Sequence, residues 1–292
     1  MVAVQTESEP AQAVAETRAP RRLAGTGRRP TTLGGHLRKL WEYRELLRTL
    51  ALKEVRVRYK QSVLGVGWAV LQPFALMVVF TTVFSRFLRV ESEGVPYPVF
   101  SYVALVPWTF FSSSLSFAVP SVVHNMSLVT KIYFPREIFP LAAIGGCFVD
   151  FCVAGTIVAG LMAYYRVELT WTAVYLPLLV VLQAMVALGV ALLAAAINVF
   201  FRDIRFIVPL VTQVWMYASP VVYPLSEVPE RFRPYYLLNP MAGIIDGYRR
   251  ALLHGQPPDV GALAIAAGMA LGLLAVGYLF FKRVEMTFAD II

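Results

Sequence analysis

Residues 174–199 read VYLPLLVVLQAMVALGVALLAAAINV, 26 positions without one Asp, Glu, Lys or Arg. A helix needs about 20 apolar residues to cross roughly 30 Å of hydrocarbon. A helix packed on a soluble core keeps one polar face for water. Here apolar residues occupy every face, and only Gln183 and Asn198 are strongly polar. The solvent that tolerates such a helix is a lipid bilayer.

Outward from that stretch, five more apolar blocks occupy residues 63–88, 100–122, 138–165, 206–224 and 260–281. The block at 206–224 is the shortest and contains Pro209 and Pro220, which predicts a kinked or partly unwound span. The whole chain is 58% hydrophobic and only 15% charged, with a mean hydropathy of +0.64. So few charges cannot hydrate the surface of a soluble domain of this length. The expected fold is an all-α polytopic membrane protein with six transmembrane helices. Cys147 and Cys152 have the spacing of neither a zinc site nor a helix-internal disulfide, and are expected to be buried thiols. His36, His124 and His254 are scattered, so no metal cluster is expected.

The flanks add two shorter helices. Residues 1–35 lack any apolar run and predict a disordered tail, not a signal peptide. In residues 36–60, Leu37, Leu40, Trp41, Leu47, Leu50 and Ala51 recur at helical spacing. Arg44, Arg48 and Arg58 nevertheless intrude on that apolar arc. An amphipathic helix in the membrane interface is one reading, and a solvated helix of a small cytoplasmic domain is the other. The segment 237–255, LLNPMAGIIDGYRRALLHG, carries a helix cap at Asn239, a first-turn proline at Pro240 and an exit glycine at Gly255. Met241, Ile244, Ile245, Tyr248 and Leu252 form its apolar stripe. At about 20 Å it is too short to span, so it is either re-entrant on the outer side or a surface cap on the bundle.

Orientation follows from the basic residues. With the amino terminus inside, 19 of the 26 Lys and Arg lie on the inner side and seven on the outer. The positive-inside rule then puts both termini, including the short tail 286–292, in the cytoplasm. The net charge of +8 thereby serves topology and anionic lipid, and nucleic acid is not an expected partner.

Residues able to carry chemistry are few. Asp150 is the one acid well inside a block, a candidate for function or for a structural partner. The sequence G-x-x-x-x-G-K-[ST] does not occur, so the chain is not expected to bind or hydrolyse ATP through a P-loop. Neither catalysis nor a resident cofactor is expected. Tyr102, Trp108, Phe110 and Phe111 precede three serines, and Phe206, Trp215, Tyr217 and Tyr223 lie near Gln213 and Ser219. Such rings can stack on sugars, but they also anchor and pack membrane helices. The inner loop VHNMSLVTKIYFPRE, residues 123–137, ends in a charged and aromatic knob. It is either a linker or a docking element.

Five motifs carry a resemblance: Val63 to Trp68 (VLGVGW), Val106 to Phe111 (VPWTFF), Asn198 to Ile204 (NVFFRDI), Ser219 to Tyr223 (SPVVY) and Asn239 to Met241 (NPM). In this order, over residues 36–285, the chain resembles the permeases of type-2 ABC exporters for cell-surface polysaccharides. These include Wzm-type O-antigen and galactan exporters and TagG-type teichoic acid exporters. The resemblance implies a homodimer in the bacterial plasma membrane, bound to two copies of an ATPase that holds ATP and Mg. It casts Arg56, Arg58 and Lys60 as contacts for a lipid-diphosphate headgroup, and Leu64, Gly65 and Gly67 as a gate. Trp108, Phe110, Phe111, Trp215 and Tyr217 become candidates for a glycan channel. Lys131, Tyr133, Pro135, Arg136 and Glu137 fall in the ATPase-coupling loop, and Asn239, Pro240 and Met241 at an outer gate. The rival readings are a related permease for a drug or small lipid, a membrane enzyme acting on polyprenyl phosphates, and a receptor-like membrane protein. The long polar tail departs from the pattern.

Overall fold

The computed structural model describes residues 38, 41–60, 62–131 and 134–289, without the side chains of 129–131. The tail 1–35 therefore lies outside the described residues. The chain divides between Trp41 and Glu42, and every element below belongs to the part beginning at Glu42. Among the described residues all regular structure is helical.

Helix α1, Arg44–Tyr59, precedes α2, Gly67–Phe80, which continues through a π-helical stretch Thr81–Phe87. Then follow α3, Tyr97–His124; the short α4, Met126–Lys131; and α5, Ile138–Tyr164. A 3-10 turn at Trp171–Tyr175 leads into α6, Leu176–Phe200, and α7 is Ile204–Tyr217. Short α8, Arg233–Tyr236, precedes α9, Pro240–Leu252, and α10, Val260–Val284, which ends in a 3-10 turn, Glu285–Ala289.

Five of these stretches are long and apolar enough to cross a membrane; α7, with 14 residues, is shorter. At 1.5 Å per residue α7 covers about 21 Å, less than the hydrocarbon thickness. Its block was expected to run to residue 224, but regular helix stops at Tyr217, three residues before Pro220. The first span likewise begins at Gly67, because Gly65 adopts a left-handed φ of 51° that breaks the helix before it.

Polar contacts sort the helix ends into two groups. At one end Lys282 bonds Glu137 at 2.7 Å and the Phe200 and Phe288 rings meet at 6.2 Å. At the other, Tyr97 donates to the Val222 carbonyl at 2.7 Å and Thr172 to that of Ala251 at 2.7 Å. We call these the near end and the far end. A cavity of about 360 Å³ at the far end touches Gly94, Arg166 and Gly255, drawing together the connections α2–α3, α5–α6 and α9–α10.

Helix α3 is the central post, most of it buried, whereas α2 and α10 bury few of their residues. Gln183 of α6 donates to the Pro107 carbonyl of α3 and accepts from Tyr248 of α9. Such buried polar links hold helices together where lipid offers no hydrophobic drive for association. The pair α6–α10 packs backbone to backbone: a methyl on Gly189 would lie 2.6 Å from Leu273. Of the two thiols Cys147 is buried as expected, but Cys152 is exposed on the outward face of α5. An exposed apolar thiol is compatible with lipid contact, so burial was the wrong inference for it.

Candidate functional site

The site is built where α1 meets α5. The two helices run in the same direction, with Ala51, Glu54 and Arg58 facing Gly145, Gly146 and Asp150 in turn. The absence of side chains at Gly145 and Gly146 allows this approach; a methyl on Gly145 would sit 3.4 Å from the Ala51 Cβ. Arg58 therefore reaches the acid inside α5. Its Nη1 donates to Asp150 Oδ2, the Tyr59 hydroxyl donates to Asp150 Oδ1, and Nη2 lies 3.5 Å from Cys147 Sγ. The Phe117 ring of α3 packs against the guanidinium at 3.9 Å, a cation–π contact. Burial first, and then the bond to Asp150, pushes the Tyr59 phenol up to about 12, so it remains a donor.

Beside this pair is a cavity of about 340 Å³ between α1, α2, α3 and α5. Arg58, Ser62, Trp68, Gln72, Thr109, Ser113 and Asp150 supply its polar lining, and Phe110 and Phe117 its aromatic walls. The side chains of Arg58 and Asp150 stay 14% and 18% exposed, so the pair is reachable from solution. Asp150 does not saturate the guanidinium, since Nε is buried without an acceptor.

Of the three basic candidates, then, Arg58 faces the cavity, while Arg56 and Lys60 are exposed. Leu64 is exposed, the left-handed Gly65 has open space around it, and Gly67 opens α2 with its N–H on the Leu64 carbonyl.

At the near end, Tyr133 and the Lys131 side chain lie outside the described residues. Pro135 caps the turn before α5: its carbonyl accepts from Ile138 N. Arg136 donates to the Glu285 carbonyl, and Glu137, almost fully buried, pairs with Lys282, which also binds Glu285. The loop before α5 is thus tied to the end of α10.

At the far end Asn239 organises the candidate gate. Its Oδ1 caps α9 by accepting from Met241 N at 3.1 Å and also accepts from Trp215 Nε1 at 2.9 Å. Its Nδ2 donates to Ser219 Oγ and the Ala218 carbonyl. Pro240 and Met241 are buried behind it. Trp215 of the channel candidates and Asn239 of the gate candidates are therefore in direct contact. Trp215 packs edge-on against Phe111 at 5.1 Å, and Phe111 against Trp108 at 5.4 Å. Trp108, Phe110 and Phe111 are almost wholly buried, whereas Tyr217 is exposed. Of the five, only Tyr217 is exposed and Trp215 partly so.

Sequence reasoning missed Arg249, on the inward face of α9. It donates to the carbonyls of Pro220 at 2.6 Å, Val221 at 2.7 Å, Tyr223 at 3.0 Å and Phe100 at 3.4 Å, and lies 3.6 Å over the Phe100 ring. These carbonyls include those of the irregular chain beyond α7, which has no helix to satisfy them. A signal existed: Arg249 follows Ile245 by four and precedes Leu252 by three, squarely in the apolar stripe.

Residues 45–253 match the family described as "ABC-2 type transporter". The chain belongs to the ABC-2 type transporter family. It is 32% identical over 257 residues to a protein named O-antigen export system permease protein RfbA from Myxococcus xanthus, covering 87% of this chain and 98% of that one. A Klebsiella pneumoniae protein of the same name is 29% identical, with 85% and 95% covered. The Escherichia coli polysialic acid transport protein KpsM is 24% identical, with 81% and 92% covered. In each case the ABC-2 permease matches over nine-tenths or more of the relative's length.

Proposed function

We propose that this ABC-2 permease exports a polyprenyl-diphosphate-linked polysaccharide across the bacterial plasma membrane, powered by a separate ATPase subunit that holds ATP and Mg. One observation carries the reading: the chain is similar over 98% of the length of a relative named for O-antigen export. In this reading the near end faces the cytoplasm, where most Lys and Arg fall, and two copies of the chain pair with two ATPase subunits.

Each part of the site then has a task. The headgroup docks from the near side by the exposed Arg56 and Lys60, and settles in the cavity at Arg58 behind the Leu64–Gly67 turn. Cationic side chains at the lipid surface attract a diphosphate before any shape is read. The loop 123–137 takes the thrust of the ATPase and passes it through Glu137 and Lys282 to α10 as well as directly to α5. Trp215, Tyr217 and Asn239 face the glycan on its way out. Deleting the gene in its native host should remove the surface glycan and accumulate its lipid-linked form inside the cell, and the intact gene should restore export. An unchanged surface glycan with an unchanged internal pool would sink the proposal.

A further inference from the structure

We propose that Asp150 is a specificity-determining residue, an internal counter-ion that keeps Arg58 from accepting the single-charge phosphodiester headgroups of bulk lipid while yielding it to a diphosphate. The inference rests on the headgroup reading above and adds the basis of its selectivity.

A loading site at a membrane surface faces a mass-action problem. Ordinary phospholipids outnumber any lipid-linked glycan, and an unpaired arginine would bind their phosphates. Here the guanidinium is already held by a carboxylate, a phenol shares that carboxylate, and an aromatic ring covers one face. A phosphodiester carries one negative charge, as Asp150 does. Exchanging one for the other gains no Coulomb energy and leaves the largely buried Asp150 without its cation, held by the Tyr59 hydroxyl alone. A diphosphate linkage carries at least two charges and a second set of acceptor oxygens. The cavity has donors for them that Asp150 does not use: Ser62, Gln72, Thr109 and Ser113 line it. The exchange is therefore favourable only for the ligand with two adjacent phosphates.

The test uses the permease purified with its ATPase in nanodiscs, with undecaprenyl diphosphate as the probe and phosphatidylglycerol replacing phosphatidylcholine in steps. The readout is the probe concentration that half-maximally changes ATPase activity. The wild type should hold that concentration within about twofold from no phosphatidylglycerol to half, whereas Asp150→Asn should need about fivefold more at the higher fraction. Equal insensitivity of the two proteins would overturn the inference, as would a wild type already sensitive to phosphatidylglycerol. Failure of the probe to act on the wild type in any lipid would overturn the headgroup reading itself and the inference with it. Because Asp150→Asn leaves a buried cation, the exchanged pair Arg58→Asp with Asp150→Arg is a second route. It keeps an internal counter-ion, so it should bind the probe less tightly but stay indifferent to phosphatidylglycerol; sensitivity there would also overturn the assignment.

Discussion

Two arginines are drawn into this bundle, and their partners differ in kind. Arg58 at the α1–α5 contact is answered by a carboxylate, Asp150, and retains some exposure. Arg249 in α9 is answered by backbone carbonyls from two segments and an aromatic ring, with 1% of its surface exposed. Among the described residues no carboxylate lies within ion-pair distance of it. Burial, its largest influence, lowers the Arg249 guanidinium to about 10, still charged near neutral pH. A side-chain partner can be traded for a ligand, whereas carbonyls of the main chain cannot leave. The first arrangement suits a residue that works in exchange, and the second a rivet.

The largest effect should therefore come from the rivet. Arg249→Met strips donors from several buried carbonyls, each worth about 1–3 kcal/mol when left unmet. A loss on the order of 3–5 kcal/mol is expected in unfolding titrations in mixed micelles. Arg249→Lys should recover only part of it, because one ammonium cannot reach carbonyls fanned around a planar fork. Full stability in the lysine variant would remove the distinction between the two sites.

Next in size are the single changes at the near pair. Arg58→Gln or Asp150→Asn alone should cost about 2–3 kcal/mol, less than Arg249→Met because water reaches the pair. The double variant should be about 1–3 kcal/mol more stable than the summed losses imply. No such recovery is available at Arg249, whose partners are peptide groups. Additive losses at Arg58 and Asp150 would mean that the pair is not coupled. Tyr59→Phe removes a single hydrogen bond and should cost about 1 kcal/mol in the same titration.

Both arginines left traces in the sequence, and the traces explain what could be read. Arg58 spoiled the apolar arc of the first helix and Asp150 stood alone in an apolar block. Each anomaly was visible, but they lie 92 positions apart and nothing in a single sequence says that one answers the other. Asn239, Pro240 and Gly255 were legible because capping is a local rule, and α9 starts and stops where they said. The early end of α7 was less so: the apolar run continues past Tyr217, and the irregular turn is tolerated because Arg249 meets its carbonyls. Trp108 and Phe111 could not be assigned from composition, since lipid-facing, channel-lining and packed aromatic residues look alike until neighbours are known.

The smallest effect on stability is expected at Arg56 and Lys60, and it is the most informative about function. Both are exposed on α1, so Arg56→Gln with Lys60→Gln should shift stability by no more than about 0.5 kcal/mol. If they guide a headgroup towards Arg58, the double variant should nevertheless lower export, and the deficit should shrink as salt is added to a reconstituted assay, since screening removes the long-range attraction that the two cations give the wild type. A salt-independent deficit would remove them from the steering path. A stability loss as large as that of Arg58→Gln would mean instead that this face of α1 is covered in the assembled transporter, making it a structural contact and not an open approach to the exchangeable pair.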